Sequence, residues 1–483
     1  MPNIEIHKCL DENIVNIKNT FHHTSDLIVR KIKVGFKGSA EMAIVYLDGI
    51  IDLDLIQEHM VKPLLEPFKT VGMKEALIDQ IMGRIIESAD VKTTIQYKDL
   101  TDAIIQGSTV LLIDEYQQGI IIPSPKWAER SIEATLGERT ARGPQIGLTE
   151  KMKTNINLIR SSLKTPDFCV DTIELGSISP TSVSILYIEG IVDKGILKEV
   201  KKRLNRLTIK YVLSERVIED VLEGKPRSIF PRIRHSERID GVVSSLFEGR
   251  VAIIVDGYPF AILTPALFVE FLQAPDEYHI PLGRLTSRAM RLFAFFIGVY
   301  LPAVYIAIAN FHKDDLPKKI SEAIISKDEL LPTFWEIVIL IFLIRILVDV
   351  SFRLPQTAVI LVSLIGTIVI GETAVTAKLI HPVSLIVIGI TTLSSFLGAN
   401  RGLVVVDNIL RIFFLLTANF FGFTGIIIAT TLQIIYMVSL KSVGVPYLSP
   451  LIPFKMEELK DTIYREDLQK LTNSKHTYTE DNK

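Results

Sequence analysis

This chain of 483 residues has little of what compact chemical sites are built from. Its two cysteines, Cys9 and Cys169, are too few for a disulfide framework or a cysteine-based metal centre, and they read as ordinary thiols of a reducing compartment. The formal net charge of −2 gives no basic excess for a nucleic acid to meet. The opening stretch MPNIEIHKCLDENIVNIKNT contains acids and no apolar core, so no cleavable signal peptide is expected. The half of the chain that precedes the first apolar run should then stay on the side where it is made. His22, His23, His59, His235 and His279 are scattered without metal-ligand spacing. No glycine-rich loop carries the lysine of a phosphate cradle, and no nucleophile, base and orienter can be picked out. The expectation is a protein that is not an enzyme and needs no cofactor or metal.

Long apolar runs are also missing, but only as far as about Arg291; from there to about Leu440 they dominate. The charged first half contains a duplication. Residues 43–60 (AIVYLDGIIDLDLIQEHM) match 184–201 (SILYIEGIVDKGILKEVK), and residues 106–123 match 248–265, with offsets of 141 and 142. Asp48-Gly49 aligns with Glu189-Gly190, Asp52 with Asp193, Asp114 with Asp256 and Tyr116 with Tyr258. Each copy reads as a short branched strand, an acidic-Gly turn, an amphipathic helix and a β-hairpin, the second hairpin turning at Asp256-Gly257. At the acidic-Gly turns the glycine supplies a positive φ and the acid caps the helix start; a ligand loop is the other reading.

The fold class expected is therefore an α/β soluble half built from two duplicated subdomains, followed by an α-helical transmembrane domain. The divisions are an N-terminal extension (1–29), subdomain 1 (30–125), a helical connector (126–169), subdomain 2 (170–280), a transmembrane domain of about five spans, four to six (281–440), and a polar C-terminal tail (441–483). The connector is rich in basic residues and breaks at Arg142-Gly143-Pro144 before a helical stretch begins near Thr149. It is either an interdomain linker or a contact surface between subunits, with Arg142, Gly143, Pro144, Thr154, Asn155 and Arg160 as the contact candidates.

In the apolar half, Arg284, Arg288 and Arg291 precede the first run and place that side in the cytoplasm. Residues 292–311 form a first span with Pro302 inside it, and 333–352 a second that carries Glu336, Arg345 and Asp349. Arg345 and Asp349 are four apart and share a face. Such a pair either points inward to a vestibule or lies near the interface with Arg345 snorkelling. Residues 357–380 form a third span whose small and hydroxyl-bearing residues share one side, with Ser363, Gly366, Thr367, Gly371 and Glu372 as candidates to line a pore. Tight packing against another helix is the competing reading. A fourth span covers 383–399. Residues 403–440 allow either one long tilted span beginning beyond an interfacial turn of Asp407, Asn408 and Arg411, or a hairpin broken at Gly422–Gly425.

Arg130-Ser131-Ile132-Glu133, Glu138, Arg142-Gly143-Pro144, Glu150, Thr154-Asn155 and Leu158-Ile159-Arg160, followed later by Arg353-Leu354-Pro355 and Val445-Pro446-Tyr447, resemble the A subunits of the GerA family of spore germinant receptors. Ala134-Thr135 and Leu148 depart from the family's usual Glu-Pro and Phe. The resemblance covers roughly residues 30–450 and implies a nutrient receptor complex that triggers spore germination from the spore inner membrane. It implies a transporter-like B subunit and a lipoprotein C subunit as partners, and A subunits that form a ring, such as a pentamer, around an ion pathway. A non-conducting scaffold and a secondary transporter are the alternatives, although the membrane half shows no internal repeat of the transporter kind. A small-molecule sensor in the tandem α/β half is a further reading.

Overall fold

The elements follow from two kinds of pattern, strand alternation up to residue 264 and long apolar helices after residue 283. A computed structural model of the chain describes residues 4–34, 40–65, 91–126, 138, 144, 146–224, 228–273, 283–317, 321, 330–351, 353–397, 401–456, 458 and 479. These fall into two compact units.

Unit 1 holds two five-stranded antiparallel sheets with the same strand order. Copy 1 consists of α1 (Leu10–Thr20), β1 (Leu27–Val34), β2 (Ala40–Leu47), α2, β3 (Lys92–Thr94), α3 (Tyr97–Ile105), β4 (Ser108–Ile113) and β5 (Gly119–Pro123). Helix α2 runs as Leu53–Ile56, a π-helical turn Gln57–Val61, and Lys62–Leu65. Copy 2 consists of α4 (Met152–Ser162), β6 (Phe168–Leu175), β7 (Thr181–Ile188), α5 (Lys194–Asn205), α6 (Arg216–Glu223), β8 (Arg234–Ser236), α7 (Ile239–Phe247), β9 (Val251–Val255) and β10 (Ala261–Thr264). The sheets run β1-β2-β4-β5-β3 and β6-β7-β9-β10-β8. In each, the alternating inward residues of the central strands meet the apolar stripes of the covering helices, and the two copies have separate cores.

The duplication reaches further upstream than its clearest sequence matches. Asn13 accepts from the His7 backbone N–H at 2.9 Å and donates to the His7 carbonyl at 2.7 Å. Asn155 does the same to Thr149, at 2.8 and 2.6 Å. Asp114 accepts from Leu10 N–H, and Asp256 accepts from Met152 N–H. Helices α1 and α4 are thus equivalent, each clasped at its start by one asparagine and one hairpin aspartate. Residues read as an N-terminal extension and a connector contain the first helix of each copy. The glycines of the acidic turns do take positive φ, 92° at Gly49 and 79° at Gly190. The helix caps, however, are Asp52 and Asp193, three residues beyond those glycines, which accept from the first free N–H groups of α2 and α5.

Unit 2 contains α8 (Gly283–Phe311), α9 (Thr333–Ser351), α10 (Gln356–Gly366) with a π-helical turn Thr367–Thr373 and a last turn Ala374–Thr376, α11 (Pro382–Leu397) and α12 (Arg401–Ser439). Among the described residues three stretches are long and apolar enough to cross a membrane: Arg288–Phe311, Ala358–Thr376 and Gly402–Ser439. Helix α11 is shorter, and α9 carries Glu336, Arg345 and Asp349. Helix α12 is not one rod. Gly422 has φ 58° and ψ −139°, and a Cβ at Gly425 would lie 2.2 Å from the Thr417 carbonyl oxygen. Eight residues along a straight helix span about 12 Å, so the chain doubles back here.

The limbs of this hairpin run in opposite directions along α8. On the outgoing limb, Arg411 bonds the Gly298 carbonyl at 2.8 Å and Asn419 accepts from Asn310 at 3.0 Å. On the return limb Gln433 comes back to Tyr300 at 3.3 Å, and beyond it Tyr447 O accepts from Phe268 N–H at 3.1 Å. Of the two sequence readings of 403–440, the structure takes the hairpin. Asp407 and Arg411 are not an interfacial turn; they are 3 and 4% exposed. Arg411 also bonds Ser395 Oγ at 2.6 Å and Asn408 Oδ1 at 3.2 Å. A charge in an apolar run can stand at an interface or be satisfied inside, and only the neighbouring helices decide which.

Candidate functional site

Of the three candidate spans, Ala358–Thr376, within the stretch 357–380, is the least covered by the rest of the chain. Apart from Gly366, the described residues of Ala358–Thr376 are exposed or half-buried. Leu361, Leu364, Ile365, Ile368 and Val369 all stand open. Its helix widens over Thr367–Thr373 into a π turn, where the Thr373 hydroxyl donates to the Ile368 carbonyl at 3.1 Å. A π turn puts an extra residue into the ladder and shifts the faces on either side of it, a device found frequently at functional sites.

The pore-lining candidates divide. Gly366 is covered, because a Cβ there would come within 3.0 Å of Leu347 on α9; that position serves close helix packing. A Cβ at Gly371 would meet nothing within 4 Å. Ser363 is exposed, its hydroxyl turned back to the Val359 carbonyl at 2.8 Å, and Glu372 is exposed. Thr367 opens the π turn. Of these positions Ser363 and Glu372 are exposed, Gly371 is half-buried and Gly366 is buried.

Arg345 and Asp349 pair at 3.2 Å with about half of each side chain exposed. Arg345 borders a groove of about 710 Å³ whose walls are apolar residues of α9 and of the outgoing limb of α12, with Asn408 and Asn419 among them.

The connector candidates fare differently. Arg142 and Gly143 lie outside the described residues; Pro144 is exposed and Thr154 half-buried. Asn155 is fully buried in its clasp, and Arg160 is 2% exposed. Arg160 meets Asp26 of copy 1 through Nε at 2.5 Å and Nη2 at 2.8 Å, and also bonds the Phe168 carbonyl. As subunit contacts, Asn155 and Arg160 are therefore corrected. Both are engaged within the chain, Asn155 with Thr149 of its own copy and Arg160 with Asp26 of copy 1 and the Phe168 carbonyl. Glu138, another motif residue, accepts from Ser236 Oγ at 2.8 Å and from Glu237 N–H at 3.1 Å, holding the connector on copy 2. Burial pushes the Cys169 thiol up to about 12, with Glu189 and Asp171 adding to it, so this cysteine is inert at neutral pH.

Sequence reasoning missed Glu336 as a site residue. It is wholly buried, and it binds His381 N–H and Ser384 on the far side of the 357–380 segment. The only local signal was a lone acid in an apolar run; its partners are 45 and 48 positions away.

The sequence profile of the Bacillus/Clostridium GerA spore germination protein family matches residues 15–477. The chain belongs to the GerA family. Among its relatives, spore germination protein KA of Bacillus subtilis (strain 168) is 33% identical over 459 residues, 94% of this chain and 84% of that protein. Spore germination protein GerLA of Bacillus cereus is 32% identical over 467 residues, 96% of this chain and 94% of that protein. The crystal structure of the N-terminal domain of the A subunit of the Bacillus megaterium spore germinant receptor GerK3 aligns with a TM-score of 0.45 and 29% identity. That alignment covers 56% of this chain and 99% of that one. GerA is a family of germination proteins and not an enzyme class.

Proposed function

We propose that this GerA-family chain is the A subunit of a nutrient receptor that triggers spore germination. In this reading its membrane unit assembles into a ring around a cation path, with the stretch 357–380 of each copy facing that path. Its companions are a transporter-like B subunit and a lipoprotein C subunit. Its place is the spore inner membrane, with the N-terminal unit cytoplasmic. The six long helical segments described in unit 2, counting both limbs of α12, are its crossings, so the chain leaves the bundle on the side where α8 enters.

One observation carries the reading. A segment long and apolar enough to cross a membrane is left largely bare by its own chain, and it carries an exposed hydroxyl, an open glycine and an exposed acid. Neighbouring copies would cover its greasy side, and the polar side would be left for water and ions. The test is to replace Gly371 with Leu or Glu372 with Gln and to measure nutrient-triggered cation release from spores, together with current through the reconstituted complex. Slower release and smaller or less cation-selective current are expected. Unchanged release and current would reject the segment as the path.

The cover of Gly366 by Leu347 favours a second reading, in which the segment only packs and the subunit is a non-conducting scaffold. A reconstituted complex that binds nutrient and stays electrically silent would establish it.

A further inference from the structure

Glu336 lies on the first turn of α9, wholly buried among Tyr305, Ile337, Leu340 and Ile380. Its Oε2 accepts from the His381 backbone N–H at 3.2 Å and from Ser384 Oγ at 2.8 Å. The Tyr305 hydroxyl lies 3.2 Å from Ser384 Oγ. Since Ser384 gives its proton to the carboxylate, Tyr305 donates to Ser384. Oε1 of the same carboxylate is buried and accepts from nothing. The nearby imidazole does not neutralise it. His381 Nδ1 accepts from Val383 N–H at 3.2 Å, which puts the ring proton on Nε2 and leaves the ring uncharged. No lysine or arginine among the described residues pairs with Glu336. A buried acid without a counter-charge, in a region that crosses a membrane, is expensive to keep and marks an ion-handling position.

We propose that Glu336 Oε1 anchors a binding site for an alkali-metal cation, with Ser384 Oγ and the Tyr305 hydroxyl as the neighbouring oxygens. The donor set is all oxygen, which suits hard cations rather than transition metals. A single carboxylate matches a single positive charge. Among the described residues no group of three or more histidine, cysteine or acidic side chains converges to hold a divalent ion. The site sits where the bare segment ends, since His381 directly follows Ile380. Bound cation would tie α9, α11 and the end of that segment together. The site does not require that segment to line a pore, and the test below reads binding rather than conduction.

The full-length protein is purified into lipid nanodiscs and titrated with KCl or NaCl against N-methyl-D-glucamine chloride at equal ionic strength and fixed pH. The readouts are thermal unfolding and the fluorescence of Trp335, the residue beside Glu336, in a Trp127→Phe background. A saturable rise in Tm and a saturable change in Trp335 emission with one or both alkali cations are expected, and both disappear in Glu336→Gln. Ser384→Ala, which keeps the charge and removes one oxygen, should move the midpoint to higher cation concentration by on the order of tenfold. It serves as the test if the glutamine variant does not fold. Equal responses in wild type and Glu336→Gln overturn the proposal, and so does an unmoved midpoint in Ser384→Ala. A wild type that responds to pH but to neither alkali cation also overturns it, by giving Oε1 to a proton.

Discussion

The two copies of unit 1 repeat the same asparagine clasp, hairpin aspartate and aspartate cap, yet they differ where one copy meets the other. Helix α4 of copy 2 reaches across to the acidic turn of copy 1. Lys153 pairs with Asp48 at 2.8 Å, Asn157 donates to the Gly49 carbonyl, and Arg160 holds Asp26. At the matching positions α1 has Asp11, Val15 and Lys18, and the matching turn of copy 2 begins with Glu189. A third copy docked in the same way would put Asp11 against Glu189 and give the glycine carbonyl no donor. The edge strand β6 is treated similarly. Ser25 N–H donates to the Val170 carbonyl at 2.8 Å, whereas Pro166, the counterpart of Ser25, has no N–H to give to β1. Strand β1 instead carries Arg30, Lys31 and Lys33, charges that discourage strand addition at an open edge. The duplication therefore closes at two: identical scaffolds diverged at the docking face, so the contact is made once and does not propagate.

Breaking that one contact should have the largest effect. Arg160→Ala leaves Asp26 buried without its partner and is expected to destabilise the chain by about 3–5 kcal/mol. The counterpart Lys18→Ala should be nearly neutral. Denaturant unfolding of the detergent-solubilised chain measures both, and similar losses would mean that the copies do not differ at this face. Next come the clasps. Asn13→Ala and Asn155→Ala should each cost about 1–3 kcal/mol, because each removes a buried amide that both accepts from and donates to the backbone of one residue. Amide exchange should speed up locally at His7 in one variant and Thr149 in the other. A loss confined to one variant would break the equivalence of α1 and α4. The smallest effect belongs to the hairpin turns, where Glu115 at φ 67° stands opposite Gly257 at φ 88°. Gly257→Ala should cost about 1 kcal/mol, while Glu115→Gly should stay within about 1 kcal/mol of the parent. Thermal unfolding of the two variants decides it.

Much of unit 1 was legible in the sequence because its signals are local. Alternating branched residues, Asp-Gly turns and a repeat at a nearly fixed offset all lie within a few positions of the structure they specify. The first helix of each copy was not legible as a pair. Asn13 and Asn155, Ile14 and Ile156, and Ile17 and Ile159 coincide, while the outward faces diverged to serve or avoid docking. Asn155 and Arg160 read as contact residues for the same reason: polar side chains on a helix look solvated until the body that covers them is known. In the membrane unit, the apolar runs and the break near Gly422 could be seen. The inward turn of Asp407, Arg411 and Glu336 could not, since the groups met by Arg411 (Gly298, Ser395) and Glu336 (His381, Ser384) lie on other helices.

The fold-back at Gly422 has a consequence for how the chain is made. The turn between the limbs of α12, residues 420–425, is Phe-Phe-Gly-Phe-Thr-Gly, with no lysine or arginine to orient it. The positive charges stand at the open ends instead, at Arg401 before the turn and at Lys441 after it. With no hydrophilic tether to translocate, the limbs have reason to leave the insertion machinery together, as a preformed pair. A lysine placed at Thr424 would give the turn a charge to drag across the bilayer, and biogenesis would fail there before any receptor activity could be assayed.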